Sequence, residues 1–349
     1  MKLRALGAAI VSALTLVAAS AIAGITGRTP PPPIVGITYD DVSNTGPELT
    51  TLESISRMPA VRIVFDTGEP ASYYKGPIST FYPAAYIMGE LIDSSYMISY
   101  TPASARSWTQ SYVSVLGSAV DIWEVGNEVN ANWLSNESNG ADVMPKIEAM
   151  YSIVTAQGGR TALTFFYEGE PSDPNNCIAT DHGGNDMFTW ITTNFSLNLP
   201  VSQRSAATEA IRTGVNYVLI SWYPADCPGE KPNWPAVYTK VASIFPQSQV
   251  GFGELGTDNP QDGSTYEDDE IASIYPLYVG ETVPAAEGSG TLPPNYIGGV
   301  FWWYAAEEMV PWPGYLGCQL QQAIAQLPGG VAAICTAPTP PSGGHHRHH

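Results

Sequence analysis

Two glutamates close short apolar runs. Glu128 ends Asp121-Ile122-Trp123-Glu124-Val125-Gly126-Asn127-Glu128, and Glu254 sits in Val250-Gly251-Phe252-Gly253-Glu254-Leu255-Gly256. A carboxyl pair can divide acid–base and nucleophilic work. One group gives a proton to a departing oxygen, and the other, ionised, attacks the carbon left behind. Other polar groups stand at similar run ends: Tyr39-Asp40-Asp41, Asp66, Tyr100, Glu168 and Tyr223. A single acid is usually just solvated. Recurrence at the ends of β-rich runs points instead to one shared site.

Such ends converge only if the runs are strands of one sheet. The candidate strands are Ile34–Tyr39, Val61–Asp66, Tyr96–Tyr100, Val120–Gly126, Ala162–Tyr167, Tyr217–Tyr223, Val250–Glu254 and Gly299–Tyr304. Helical patterns alternate with them. Pro47 opens Glu48–Met58, followed by Pro83–Leu91, Pro102–Leu116, Ala141–Gln157, Gln203–Thr213, Pro235–Phe245 and Ile271–Val279, with Leu316–Gln326 closing the set. Eight such alternations predict an α/β protein, a (β/α)8 TIM barrel over residues 34–335, whose chemistry forms at the C-terminal strand ends. No repeat or linker divides this stretch, so one domain is expected.

The strand-4 and strand-7 segments resemble those of glycoside hydrolase clan A, most closely the cellulase and mannanase family 5, in a divergent form. The resemblance implies a retaining β-glycanase with Glu128 as acid/base and Glu254 as nucleophile. A glycosidic oxygen leaves poorly unless protonated, and the attacking carboxylate forms a covalent sugar intermediate that water then displaces. The charge of Glu254 is expected to raise the pKa of Glu128 until that intermediate forms. By the same resemblance, Asn127 would bind the sugar 2-hydroxyl and Tyr223, in Leu219-Ile220-Ser221-Trp222-Tyr223-Pro224, would hold the nucleophile. Arg62, a charge inside the apolar run Val61–Asp66, would stand near Glu254, or would pair structurally with Glu124. In Gly298-Gly299-Val300-Phe301-Trp302-Trp303-Tyr304, alternation sends one Trp inward and one toward the helices, and Trp303 aligns as the sugar platform. Tyr39 and Trp133 complete the expected substrate-binding set, and Trp234 and Trp312 are further loop candidates for outer subsites. Two positions depart from family 5. Ser99-Tyr100 and Ser221 stand where histidines are usual.

Composition bounds the partners. The chain has 349 residues, net charge −19 and only 14 basic residues, which disfavours nucleic acid. Lys2 and Arg4, an apolar run to Ala19 and Ala21-Ile22-Ala23 predict a signal peptide over residues 1–23, hence a secreted, extracellular or periplasmic protein with no membrane association after cleavage. Residues 24–33 are a Pro-rich lead-in. Residues 336–349 form a Pro/Gly/His-rich tail expected to be disordered. The four cysteines allow three pairings. Cys177–Cys227 and Cys318–Cys335 are favoured because their loops are expected to be neighbours, over a four-thiolate zinc site. No metal or cofactor is required, and a monomer acting on a polysaccharide or oligosaccharide is expected. Two other readings stay open: a non-catalytic carbohydrate-binding barrel and a transglycosylase using the same residues.

Overall fold

The computed structural model describes residues 26–136, 140–178, 186–224, 226–227, 229–256, 290–314, 316–327, 330–331 and 335. Eight parallel strands close a barrel in chain order: β1 Ile34–Tyr39, β2 Ala60–Val64, β3 Tyr86–Glu90, β4 Ile122–Glu124, β5 Thr161–Phe166, β6 Tyr217–Trp222, β7 Gln249–Leu255 and β8 Gly298–Trp302. The helices around it are α1 Thr45–Ser54, α2 Lys75–Phe81, α3 Ser94–Met97, α4 Pro102–Leu116, α5 Val143–Ala156, α6 Met187–Asn194, α7 Ala206–Gly214 and α8 Trp234–Ile244, with Ala305–Glu308 and Gly317–Ala325 after β8. The (β/α)8 architecture follows as expected.

Alternation along each strand divides its side chains between two environments. The outward set, including Ile37, Ile63, Ile87, Trp123, Phe165, Ile220 and Phe252, packs with the helices in one continuous core. The inward set changes character with height. Ile34, Ala60, Met88, Ile122, Ala162, Tyr217, Leu219 and Phe301 fill the floor. One step further along their strands, Thr38, Arg62, Glu90, Glu124, Thr164 and Ser221 are buried and polar. Below the floor, residues of the lead-in are anchored by Arg28, which pairs with Asp121 at 2.7 Å and stacks on Tyr82.

The third strand corrects the sequence reading. Pro83–Leu91 was expected as helix and Tyr96–Tyr100 as strand, whereas Tyr86–Glu90 is β3 and Ser94–Met97 is helical. The apolar run at 84–92 lacks turn punctuation and is rich in helix formers, but β2 and β4 offer hydrogen-bonded edges on both sides of it. Pairing overrides local propensity here. Gly89 is part of the reason, because a Cβ there would lie 2.7 Å from the Phe65 ring. The segments α2 and α6 were not anticipated. The expected helix Ile271–Val279, the signal segment and the tail lie outside the described residues.

Both disulfides pair as favoured, Cys177–Cys227 and Cys318–Cys335. The first joins the loops after β5 and β6 across 50 residues of chain. A closed loop of that length is worth about 4 kcal/mol on chain-entropy grounds. The double variant Cys177→Ser, Cys227→Ser is expected to lose that much in urea unfolding, and an unchanged midpoint would contradict it. Among the described residues, no helix is long and apolar enough to cross a membrane.

Candidate active site

β4 ends at Glu124 and the chain turns sharply, bringing Asn127 and Glu128 over the barrel mouth. The turn is clamped by Asn130, whose side chain donates to the Phe166 carbonyl and accepts from the Phe166 N–H, both at 2.8 Å. Glu128 takes a left-handed backbone, φ +48°. A side chain pays about 1–3 kcal/mol for such geometry, and structures retain it where its direction matters.

Glu254 reaches the same mouth by another device. Ile220 pairs with Phe252, but Ser221 pairs with Glu254, so Gly253 is an extra residue in β7. Simple alternation would point Glu254 outward. The bulge turns it inward. Gly253 leaves room, since a Cβ there would meet Leu219 and Thr164 within 3 Å.

The two carboxyls have different neighbours. Glu254 Oε2 takes Arg62 Nη1 at 2.9 Å and the Asn127 amide at 3.3 Å, and Oε1 accepts the Tyr223 hydroxyl. Glu128 Oε2 accepts from Ser94 Oγ at 2.7 Å, and Oε1 from Ser221 Oγ at 2.5 Å. Among the described residues, no cation pairs with Glu128. Burial raises Glu254 to about 7, against the Arg62 charge and the Tyr223 O–H that favour its anion. Burial and then the charge of Glu254 push Glu128 well above the ordinary carboxylate range, with the two serines opposing. The order of protonation follows: Glu128 holds a proton while Glu254 is the readier anion.

Arg62 is the hub beneath them. It is fully buried and pairs with three acids: Glu254, Glu124 at 2.7 Å and Glu90 at 3.0 Å. Glu124 also accepts the Thr164 hydroxyl. Both alternatives weighed for Arg62 therefore hold together. Glu90 was missed, because the misplaced third strand hid it. It is fully buried with one cation shared three ways, and burial carries its pKa well up. Read from the true β3, the chain offers Glu90 rather than Ser99-Tyr100 at the end of the third strand. Ser221, near the end of β6, donates to Glu128.

The other expected residues divide. Trp303 lies at the mouth, its ring centroid 5.5 Å from the Arg62 guanidinium carbon. Trp302 turns to the helix side and donates to Glu308 at 2.5 Å. Trp133, in a short turn at Asn132–Leu134, donates its N–H to Ser94 Oγ at 3.0 Å. Tyr39 does not reach the mouth. Alternation along β1 turns it outward, where it packs edge-on against Phe81 and donates to the Glu48 carbonyl at 3.1 Å. The expectation that Tyr39 binds substrate is corrected accordingly. Trp234 is likewise core, stacked among Tyr167, Trp222 and Phe252. Trp312 packs over Gly317, where a Cβ would lie 2.8 Å from its ring. Among the described residues, no group of three potential metal ligands is present.

No family model and no curated protein sequence matches the chain. Solved structures do. A GH5-4 broad-specificity endoglucanase from an uncultured bacterium is 14% identical, with 85% of this chain and 94% of that one covered at a TM-score of 0.50. A glucosidase from Croceicoccus marinus is 11% identical over 78% of this chain and 60% of its own, at a TM-score of 0.46. Saccharomyces cerevisiae Gas2p, in complex with laminaritriose and laminaritetraose, is 12% identical over 78% and 56%, at 0.43. The likeness to the endoglucanase is one of fold, a (β/α)8 barrel.

Proposed function

We propose that the protein is a secreted retaining glycoside hydrolase that cleaves a β-linked polysaccharide internally. One observation carries the reading. Two buried glutamates share the barrel mouth, one held by a cation and a phenol, the other, among the described residues, by two hydroxyls. That asymmetry suits a nucleophile and an acid/base.

Glu128 gives its proton to the glycosidic oxygen as Glu254 attacks the anomeric carbon. Arg62, Asn127 and Tyr223 fix both oxygens of Glu254, so little reorientation accompanies attack. As the intermediate forms, Glu254 loses its charge and Glu128 becomes the base that takes a proton from water. In this reading Asn127 binds the sugar 2-hydroxyl and Trp303 stacks its aromatic face on the ring. The two disulfides suit an oxidising compartment, in line with the signal-like first 23 residues.

The test is a panel of defined β-glucans, mannans and galactans, with product sizing and proton NMR of the first-formed anomer. Internal cleavage with retained configuration is expected. Sugar binding without cleavage across the panel would favour a non-catalytic barrel. Predominant transfer to an added sugar acceptor would favour a transglycosylase.

A further inference from the structure

The hydrogen bonds around Glu128 are not equivalent. Ser94 Oγ receives the Trp133 N–H, and an indole N–H can only donate. The one hydroxyl proton of Ser94 is thereby aimed at Glu128 Oε2, 2.7 Å away. The Ser94 backbone is fixed as well, its N–H donating to Asn127 Oδ1 at 2.9 Å. Ser221 Oγ is differently placed. Among the described residues, its hydroxyl has no hydrogen-bond partner besides Glu128 Oε1. It is free to turn, donating to an anionic oxygen or accepting from a protonated one.

We propose that Ser94, held by Trp133, reserves Oε2 of Glu128 as a standing acceptor, so that the transferable proton rides on Oε1 and Ser221 turns with it. This rests on Glu128 being the acid/base. In the first half-reaction the proton on Oε1 passes to the leaving oxygen as its bond to the anomeric carbon breaks and the bond from Glu254 forms. In the second, water adds to that carbon, its proton passes to Oε1, and the bond to Glu254 breaks. Ser94, Trp133 and Ser221 are positioning residues throughout. The charged and titratable groups facing Glu128 are Glu254 on β7, Asp93 ahead of α3 and Tyr223 after β6. Arg62 pairs with Glu254 and not with Glu128. Against burial and the two acids, only the two serines favour the Glu128 anion.

Infrared spectroscopy of the full chain tests this without substrate, using the protonated-carboxyl band that Glu128→Gln removes. In the acid form Oε2 is the carbonyl oxygen and Ser94 is its donor. Ser94→Ala is therefore expected to move the C=O stretch to higher frequency, while Ser221→Ala leaves it nearly in place. Both are expected to raise the titration midpoint of the band by about one pH unit, the difference between a hydrogen bond to the charged carboxylate and one to the neutral acid. Ser221→Thr should restore the wild-type midpoint. Trp133→Phe keeps an aromatic side chain, removes the N–H, and should move the stretch in the Ser94→Ala direction by less. Equal stretch shifts for the two alanine variants, the reverse pattern, or unmoved midpoints in folded protein would overturn the proposal. Should the bands behave as expected while no glycan is cleaved, the hydrolase reading fails and the hydrogen-bond assignment stands.

Discussion

Replacing Glu254 with Gln is expected to lower kcat/KM by about 10⁴- to 10⁶-fold while leaving sugar binding largely intact, because the carbon–oxygen bond of the intermediate can no longer form. The amide preserves shape, and Tyr223 and Asn127 keep a partner. Glu128→Gln should behave differently. Cleavage of a natural glycan falls by about 10²- to 10⁴-fold, the usual worth of a general acid. An aryl glycoside with an acidic phenol needs no protonation, so its first step survives and the glycosyl-enzyme accumulates. Added azide should then release a glycosyl azide of retained configuration, because the small anion needs no base. The two variants together separate the roles. Azide rescue of the Glu254 variant to a product of retained configuration, or equal loss on both substrates for the Glu128 variant, would exchange or remove the assignments.

The second large effect concerns stability. Arg62→Met keeps most of the packing volume but leaves Glu90, Glu124 and Glu254 buried without their cation. Breaking a buried ion pair in this way costs about 3–5 kcal/mol. The loss should depend on pH. In the wild-type chain Glu254 rises from 4.5 to about 7 on folding, so the folded state holds its proton more tightly. The stability from that linkage is complete below pH 4.5 and lost as pH climbs through 7. Without Arg62 the folded value rises further, and the variant is penalised most where these acids must ionise. Urea unfolding should therefore show a gap between wild type and variant at pH 8 that narrows toward pH 5. A gap of equal size at both values would mean that Arg62 acts through packing alone.

What the amino-acid sequence disclosed follows local and pairwise physics. Pro102–Leu116 was legible to the residue, since Thr101 caps it in a reciprocal box with Ser104 and Pro102 starts it. Glu128 was singled out by its motif, and the structure brings it to the barrel mouth beside Ser94 and Ser221. The inward turn of Glu254 was not legible from alternation, which would face it outward; only the resemblance of its segment carried it, and the extra residue at Gly253 explains why. The third strand was illegible because its neighbours, rather than its composition, decide its conformation. That error concealed Glu90 and left the charge balance around Arg62 incomplete. Ser94 carried no signal at all. Its importance arises from meeting Trp133 and Glu128 in space, at a spacing no periodicity announces.

Four strands are tied to one another through a single guanidinium. An exchange of Glu90, Glu124 or Glu254 alters the electrostatic footing of the others, so β2, β3, β4 and β7 can drift only in concert. The described rim loops are joined by more local ties, as where Cys177–Cys227 links the loops after β5 and β6. Divergence in a lineage of such barrels should therefore gather in the rim, while the wall beneath stays nearly frozen.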